Sequence, residues 1–107
     1  MVVLIKERKV IHLDSLTGQP KRSLVSSIME LLCYVHVATY NAPLNISEWF
    51  ALNPNEIIPL QRNCDDCGVF LCKYAEYIAL ERKIDFDQKD MPYFRRMIKK
   101  ALQDGHL

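Results

Sequence analysis

Residues 59–78 read PLQRNCDDCGVFLCKYAEYI, and the fold turns on how this stretch is understood. Cys64 and Cys67 stand three residues apart around Asp65 and Asp66, and Gly68 follows. From Asp66 to about Arg82, Val69, Phe70, Tyr74, Tyr77 and Ile78 recur at helical spacing, so Cys67 is expected to open an amphipathic helix. Three chemistries fit. A structural zinc site needs four ligands, and Cys72, Cys33, His12, His36 and His106 are the candidates for the rest. Cys72, however, falls nearly opposite Cys67 on the helix, and the histidines are isolated. A redox pair also suits C-x-x-C at a helix N-terminus, where the dipole lowers a thiol pKa. Against it, the motif lies past the middle of the chain, and two intervening acids oppose thiolate formation. The third chemistry is nucleophilic. Cys67 would sit at the positive end of the helix, Gly68 would let a substrate backbone approach, and Gln61 could aim its amide N–H at a developing oxyanion. Residue chemistry alone leaves this reading level with a bland one, a structural cysteine and a surface glutamine.

Composition narrows the partners. A chain of 107 residues makes one domain, and with 50% hydrophobic and 25% charged residues it has a globular profile. Fourteen Lys+Arg against 13 Asp+Glu leave a net charge of +1, which gives no electrostatic case for nucleic acid. Charges interrupt the longest apolar runs, so no membrane span is expected. The opening MVVLIKERK carries its charges after the apolar run, which makes it a poor signal peptide and a good sheet strand. Four cysteines without a secretory signal point to free thiols in a reducing compartment.

Outward from the central helix, MVVLIKE and KVIHLD form a hairpin around Arg8. DSLTGQP supplies a turn, with Gly18 for its conformation and Pro20 for a first helical position. Leu24, Ile28, Leu31, Leu32 and Val35 mark a helix with one buried face from Lys21 to about Tyr40. ISEWFALN is irregular or extended, and NEIIPL a short strand ending at Pro59. After the connector IDFDQKD, Asp90 caps a third helix with Pro92 in its first turn. Phe94, Met97, Ile98, Ala101 and Leu102 form its apolar stripe. The order strand, strand, helix, strand, helix, helix is mixed α/β or α+β.

At this point PLQRNCDDCGVFLCKYAEYI closely resembles the active-site stretch of the SUMO-specific (sentrin-specific) ubiquitin-like-modifier cysteine proteases. Their pattern runs Pro, Gln, Asn, then Asp-Cys-Gly and an apolar helix. VIHLDSLTG is similar to the family's strand ending in Asp-Ser, and IDFDQKDMPYFRRMIKKAL to its closing segment, so the resemblance spans essentially the whole chain. It implies an α+β, papain-like fold, with residues 1–107 as the C-terminal part of the catalytic domain: a short mixed sheet packed by helices. It implies Cys67 as nucleophile, Gln61 as oxyanion donor and Asp14 as the acid that orients a histidine. It also implies cleavage of SUMO or a related modifier from its precursors or conjugates, by a monomer with no cofactor or metal, in the nucleus or cytoplasm.

The family's histidine belongs to a His-Trp pair one strand before the aspartate, which would place it a few residues ahead of Met1. The chain alone is therefore expected to have negligible peptidase activity, since an ordinary thiol with a pKa of about 8.5 needs a base. The competing reading is a truncated, inactive modifier-binding module. His12 shares a strand face with Asp14 but would also have to reach Cys67; His36 and His106 are more remote substitutes. Trp49 is expected in the core, Asn63 in the turn, and Arg95 and Arg96 on a solvated helix face. Cys64 suggests a reversible disulfide that would mask Cys67.

Overall fold

The computed structural model describes residues 1–54 and 57–105. They fall into two compact units. One comprises Met1–Leu13 and Gln19–Pro54, the other Asp14–Gly18 and residues 57–105.

In the first unit, β1 (Val2–Leu4) and β2 (Lys9–Ile11) pair antiparallel, with Val2 opposite Ile11 and Leu4 opposite Lys9. Arg8 closes the hairpin in the left-handed region, at φ 54°, and its guanidinium pairs with Glu48. β3 (Phe50–Leu52) lies parallel to β2, with Ile11 opposite Leu52. Parallel neighbours need a long crossover, and here it contains α1 (Arg22–Tyr40). Asn41 ends α1 at φ 51°, its N–H donating to the Val37 carbonyl at 2.8 Å, a left-handed cap. Pro20 precedes the capping residue Lys21 instead of opening the helix. Ordering the strands β1-β2-β3 puts Val10 in the middle, and it is buried.

The stripe on α1 does not form a buried face. No residue of α1 is buried, and Leu24, Leu31 and Val35 are exposed. Three-residue strands offer a face roughly 10 Å long, too short to cover a helix of about 28 Å. By length and composition alone the 19-residue α1 could cross a membrane, with mean hydropathy 1.2 over an 18-residue stretch of it. That departs from the expectation that charges interrupt the longest apolar runs enough to exclude a span, although Arg22 opens the helix and Glu30 sits inside it. Core helices of water-soluble domains pass the same test.

The second unit is built on α2 (Cys67–Ala79) and α3 (Met91–Asp104). Val69, Phe70, Tyr74 and Tyr77 are buried as their spacing predicts, and Lys73 joins them. Its ammonium lies 4.4 Å from the Phe94 ring centroid and pairs with Glu76. A short 3-10 turn, Gln88–Asp90, leads into α3. There the Asp87 carboxylate accepts from the Gln88 N–H at 2.7 Å, and Asp90 accepts from the Asp87 N–H at 2.8 Å. These reciprocal bonds form a capping box. Asp90 therefore precedes α3 without capping it through its side chain, while Pro92 occupies the first turn as expected.

Two expectations fail here. Only Met91 and Phe94 of α3 are buried; Met97 and Leu102 of the expected stripe are exposed. The strand expected in NEIIPL is absent among the described residues 57–60, and Asn55 and Glu56 lie outside them. Pro54 and Pro59 bracket that segment and remove two ladder donors. The third strand forms earlier, at Phe50–Leu52.

Candidate active site

The loop Asp14–Gly18 is organised by its first residue. Asp14 accepts from the Leu16 N–H at 2.9 Å through one carboxylate oxygen and from the Gly18 N–H at 3.0 Å through the other. Such side-chain turns are characteristic of Asp. Thr17, at φ 63°, holds the left-handed position of this turn. Gly18 is required for a different reason. A Cβ there would stand 2.1 Å from Asp14 Oδ2, so only glycine leaves room for the carboxylate.

Ser15 connects this loop to Gln61 twice. The Gln61 backbone N–H donates to the Ser15 carbonyl at 3.0 Å, and the Ser15 hydroxyl donates to Gln61 Oε1 at 2.5 Å. The other end of the carboxamide, Nε2, donates to the Asn63 carbonyl at 2.5 Å. Both Ser15 and Gln61 are buried. Gln61 is thus held at both ends of its side chain and does not lie on the surface.

Asn63 shapes the next turn, as expected. Its Oδ1 accepts from the N–H groups of Asp65 and Asp66, at 3.3 and 3.2 Å, and its Nδ2 donates to Asp66 Oδ2 at 2.7 Å. Asp66 is buried and also receives Gln88 Nε2 and Arg95 Nε, each at 2.7 Å. Arg95 adds a bond to the Asp65 carbonyl at 2.6 Å. Arg95 is therefore an anchor of this turn, not simply part of a solvated face. The Asn63 amide first, then the Arg95 guanidinium, hold the Asp66 carboxyl below its ordinary value of 3.8. Its charge is compensated by Arg95.

A depressed carboxyl contributes stability that is complete above its unfolded-state pKa and lost as pH falls through the folded one. The stability advantage of the native protein over Asp66→Asn should therefore be constant above about pH 5 and shrink below about pH 4. Urea midpoints of both proteins from pH 3 to 7 measure it; an advantage that persists undiminished at pH 3 would contradict the network.

Cys67 is the first residue of α2 and is exposed, joined to Gln61 through the Asn63–Asp66 turn. Cys33, Cys64, Cys67 and Cys72 are all free thiols. Among the described residues no cluster of three or more His, Cys, Asp or Glu side chains could hold a metal. Tyr74, inside α2, donates its hydroxyl to the Pro59 carbonyl. Burial first, and the negative charge of Asp14 second, push its pKa up to about 12. His12 and His36 belong to the other unit. The His36 ring contacts the Ala42 carbonyl at 2.9 Å through Nδ1, and His106 lies outside the described residues.

The sequence profile described as the Ulp1 protease family, C-terminal catalytic domain, matches residues 1–105. The chain belongs to that family. Human sentrin-specific protease 2 is 36% identical over 98 residues, which cover 90% of this chain and 16% of the relative. The ubiquitin-like-specific protease 1A of Arabidopsis thaliana is 33% identical over 103 residues, 95% of this chain and 20% of that protein. This Ulp1-family chain thus spans less than a quarter of these relatives. Among solved structures it resembles the C-terminal Ulp1 protease domain in complex with SMT3, the yeast orthologue of SUMO. That match has TM-score 0.67 and 26% identity and covers 91% of this chain and 42% of the other. The fold is accordingly the α+β fold of the Ulp1 catalytic domain, with its small mixed sheet.

Three residues that shape this Ulp1-family site escaped the reading of the sequence. Ser15 stood next to Asp14 in the Asp-Ser pair, which was the one signal available for it. Gln88 and Arg95 lie 22 and 29 residues from their shared partner, Asp66; both fall in the segment that resembles the family's closing stretch, but the resemblance gave neither a role.

Proposed function

We propose that residues 1–107 are the C-terminal part of a ubiquitin-like-protease catalytic domain, acting as a cysteine peptidase on SUMO or a related modifier in the nucleus or cytoplasm. The observation that carries this reading is the buried, doubly held carboxamide of Gln61, placed just ahead of the exposed Cys67 at the start of α2.

In this mechanism the Cys67 sulfur adds to the carbonyl of the modifier's C-terminal residue. The carbonyl oxygen takes up the negative charge and receives the second N–H of Gln61 Nε2, with the Cys67 backbone N–H as a further donor. Donors of this kind lower a barrier by about 3–4 kcal/mol each. Collapse of the intermediate expels the amine, which must be protonated, and water then releases the acyl group. An imidazole oriented by Asp14 takes the thiol proton and gives it to the leaving amine, then takes a proton from the attacking water and returns it to the departing sulfur.

The test is labelling of the folded protein with SUMO carrying a C-terminal electrophile. An adduct is expected at Cys67, and none with Cys67→Ser. A folded protein that forms no adduct would overturn the reading in favour of a module that binds without reacting.

A further inference from the structure

We infer that Ser15 is a positioning residue that locks the Gln61 carboxamide in the orientation selected by the Asn63 carbonyl, so that Nε2 and not Oε1 faces the reacting carbonyl; the inference rests on the enzymatic reading above. The two ends of a glutamine side chain are nearly identical in shape, and they differ only in that the NH₂ donates and the oxygen accepts. A flipped Gln61 would present an acceptor to a developing negative charge and would oppose the reaction.

The contacts at the two ends decide between these orientations. The Asn63 carbonyl can only accept, so the group 2.5 Å from it is the NH₂. The Ser15 hydroxyl, which can act either way, then donates to Oε1. One Nε2 hydrogen is used on Asn63, and the other remains for a substrate oxygen. Donation to the amide oxygen also polarises the N–H groups at the far end, because linked hydrogen bonds strengthen one another in a low-dielectric site. Ser15 and Gln61 are only 6% and 8% exposed, so water is a poor substitute for either partner.

The position of Ser15 in the chain adds a further consequence. Asp14 and Ser15 are consecutive, and the same loop carries the proposed histidine-orienting acid and the support of the oxyanion donor. The backbone bond from the Gln61 N–H to the Ser15 carbonyl does not involve the hydroxyl. Tethering of the loop and orientation of the side chain can therefore be separated by experiment.

The experiment is NMR of the ¹⁵N-labelled protein, reading the side-chain NH₂ and the backbone N–H of Gln61. In Ser15→Ala the side-chain protons should exchange with water about fivefold to tenfold faster, as for the loss of one buried hydrogen bond. The backbone N–H should stay protected, and Ser15→Thr should restore the native side-chain pattern. A side-chain signal unchanged by Ser15→Ala overturns the inference. So does simultaneous loss of backbone protection, which would make the serine a loop tether only. This readout is independent of whether Cys67 reacts with the electrophilic SUMO, so failure of the enzymatic reading and failure of this inference are distinguishable.

Discussion

Phe86→Ala is expected to destabilise the protein by about 3–5 kcal/mol, the usual range for removing a buried phenylalanine. Phe86 lies in the connector before the 3-10 turn, outside any regular element. Its ring nevertheless stands 5.6 Å from Phe70, 5.7 Å from Tyr74 and 5.2 Å from Tyr77 on α2, and 5.7 Å from Phe94 on α3. Truncation would remove the side chain through which both helices share a core, and neither helix could close the gap without losing its other contacts. A loss of that size is a large part of the roughly 5–15 kcal/mol that stabilises a typical domain. Urea unfolding should show a lower midpoint. Leu102→Ala, an exposed position on the expected apolar stripe, serves as the comparison and should stay within about 0.5 kcal/mol of the native protein. Equal effects at the two sites would contradict the assignment of the core.

Gly18→Ala should have the second-largest effect, at a residue outside every regular element. The added Cβ would meet Asp14 Oδ2 at 2.1 Å, far inside contact distance. That oxygen belongs to a short side chain bonded to two backbone N–H groups, so it can retreat only by breaking them. Overpacking of this kind costs about 1–3 kcal/mol. Thr17→Gly relieves the left-handed position without crowding Asp14, and should stay within about 1 kcal/mol of the native protein. Urea midpoints of both variants separate the steric effect from a general loosening of the loop. A native midpoint in Gly18→Ala would contradict the close approach of Gly18 to the Asp14 carboxylate.

The hairpin, α1 and α2 were legible because each follows from local pattern. Apolar spacing predicted helices within a residue or two of Arg22–Tyr40 and, at its start, of Cys67–Ala79. The third strand was misplaced because a parallel strand is defined by its distant partner, β2, and IIPL is as apolar as FAL. Burial was the least legible property. The stripe of α1 is real as periodicity, but burial requires a covering surface, and the pattern of one helix says nothing about whether one exists. At the site, Cys67, Gln61 and Asp14 could be named from the resemblance. Their supports could not, because the Ser15–Gln61 bond spans 46 residues and the Arg95–Asp66 bond 29. A serine and an arginine in those positions look like any polar surface residues until the fold brings their partners to them.

The fastening of the Cys67 turn by Gln88 and Arg95 has a consequence for biosynthesis. The ribosome makes Asp66 and Cys67 before the residues that lock them. At roughly 5–20 residues per second, the 29-residue interval to Arg95 leaves the thiol on an unfastened loop for seconds. The thiol is therefore placed late, because the turn that positions it cannot close until α3 has been made.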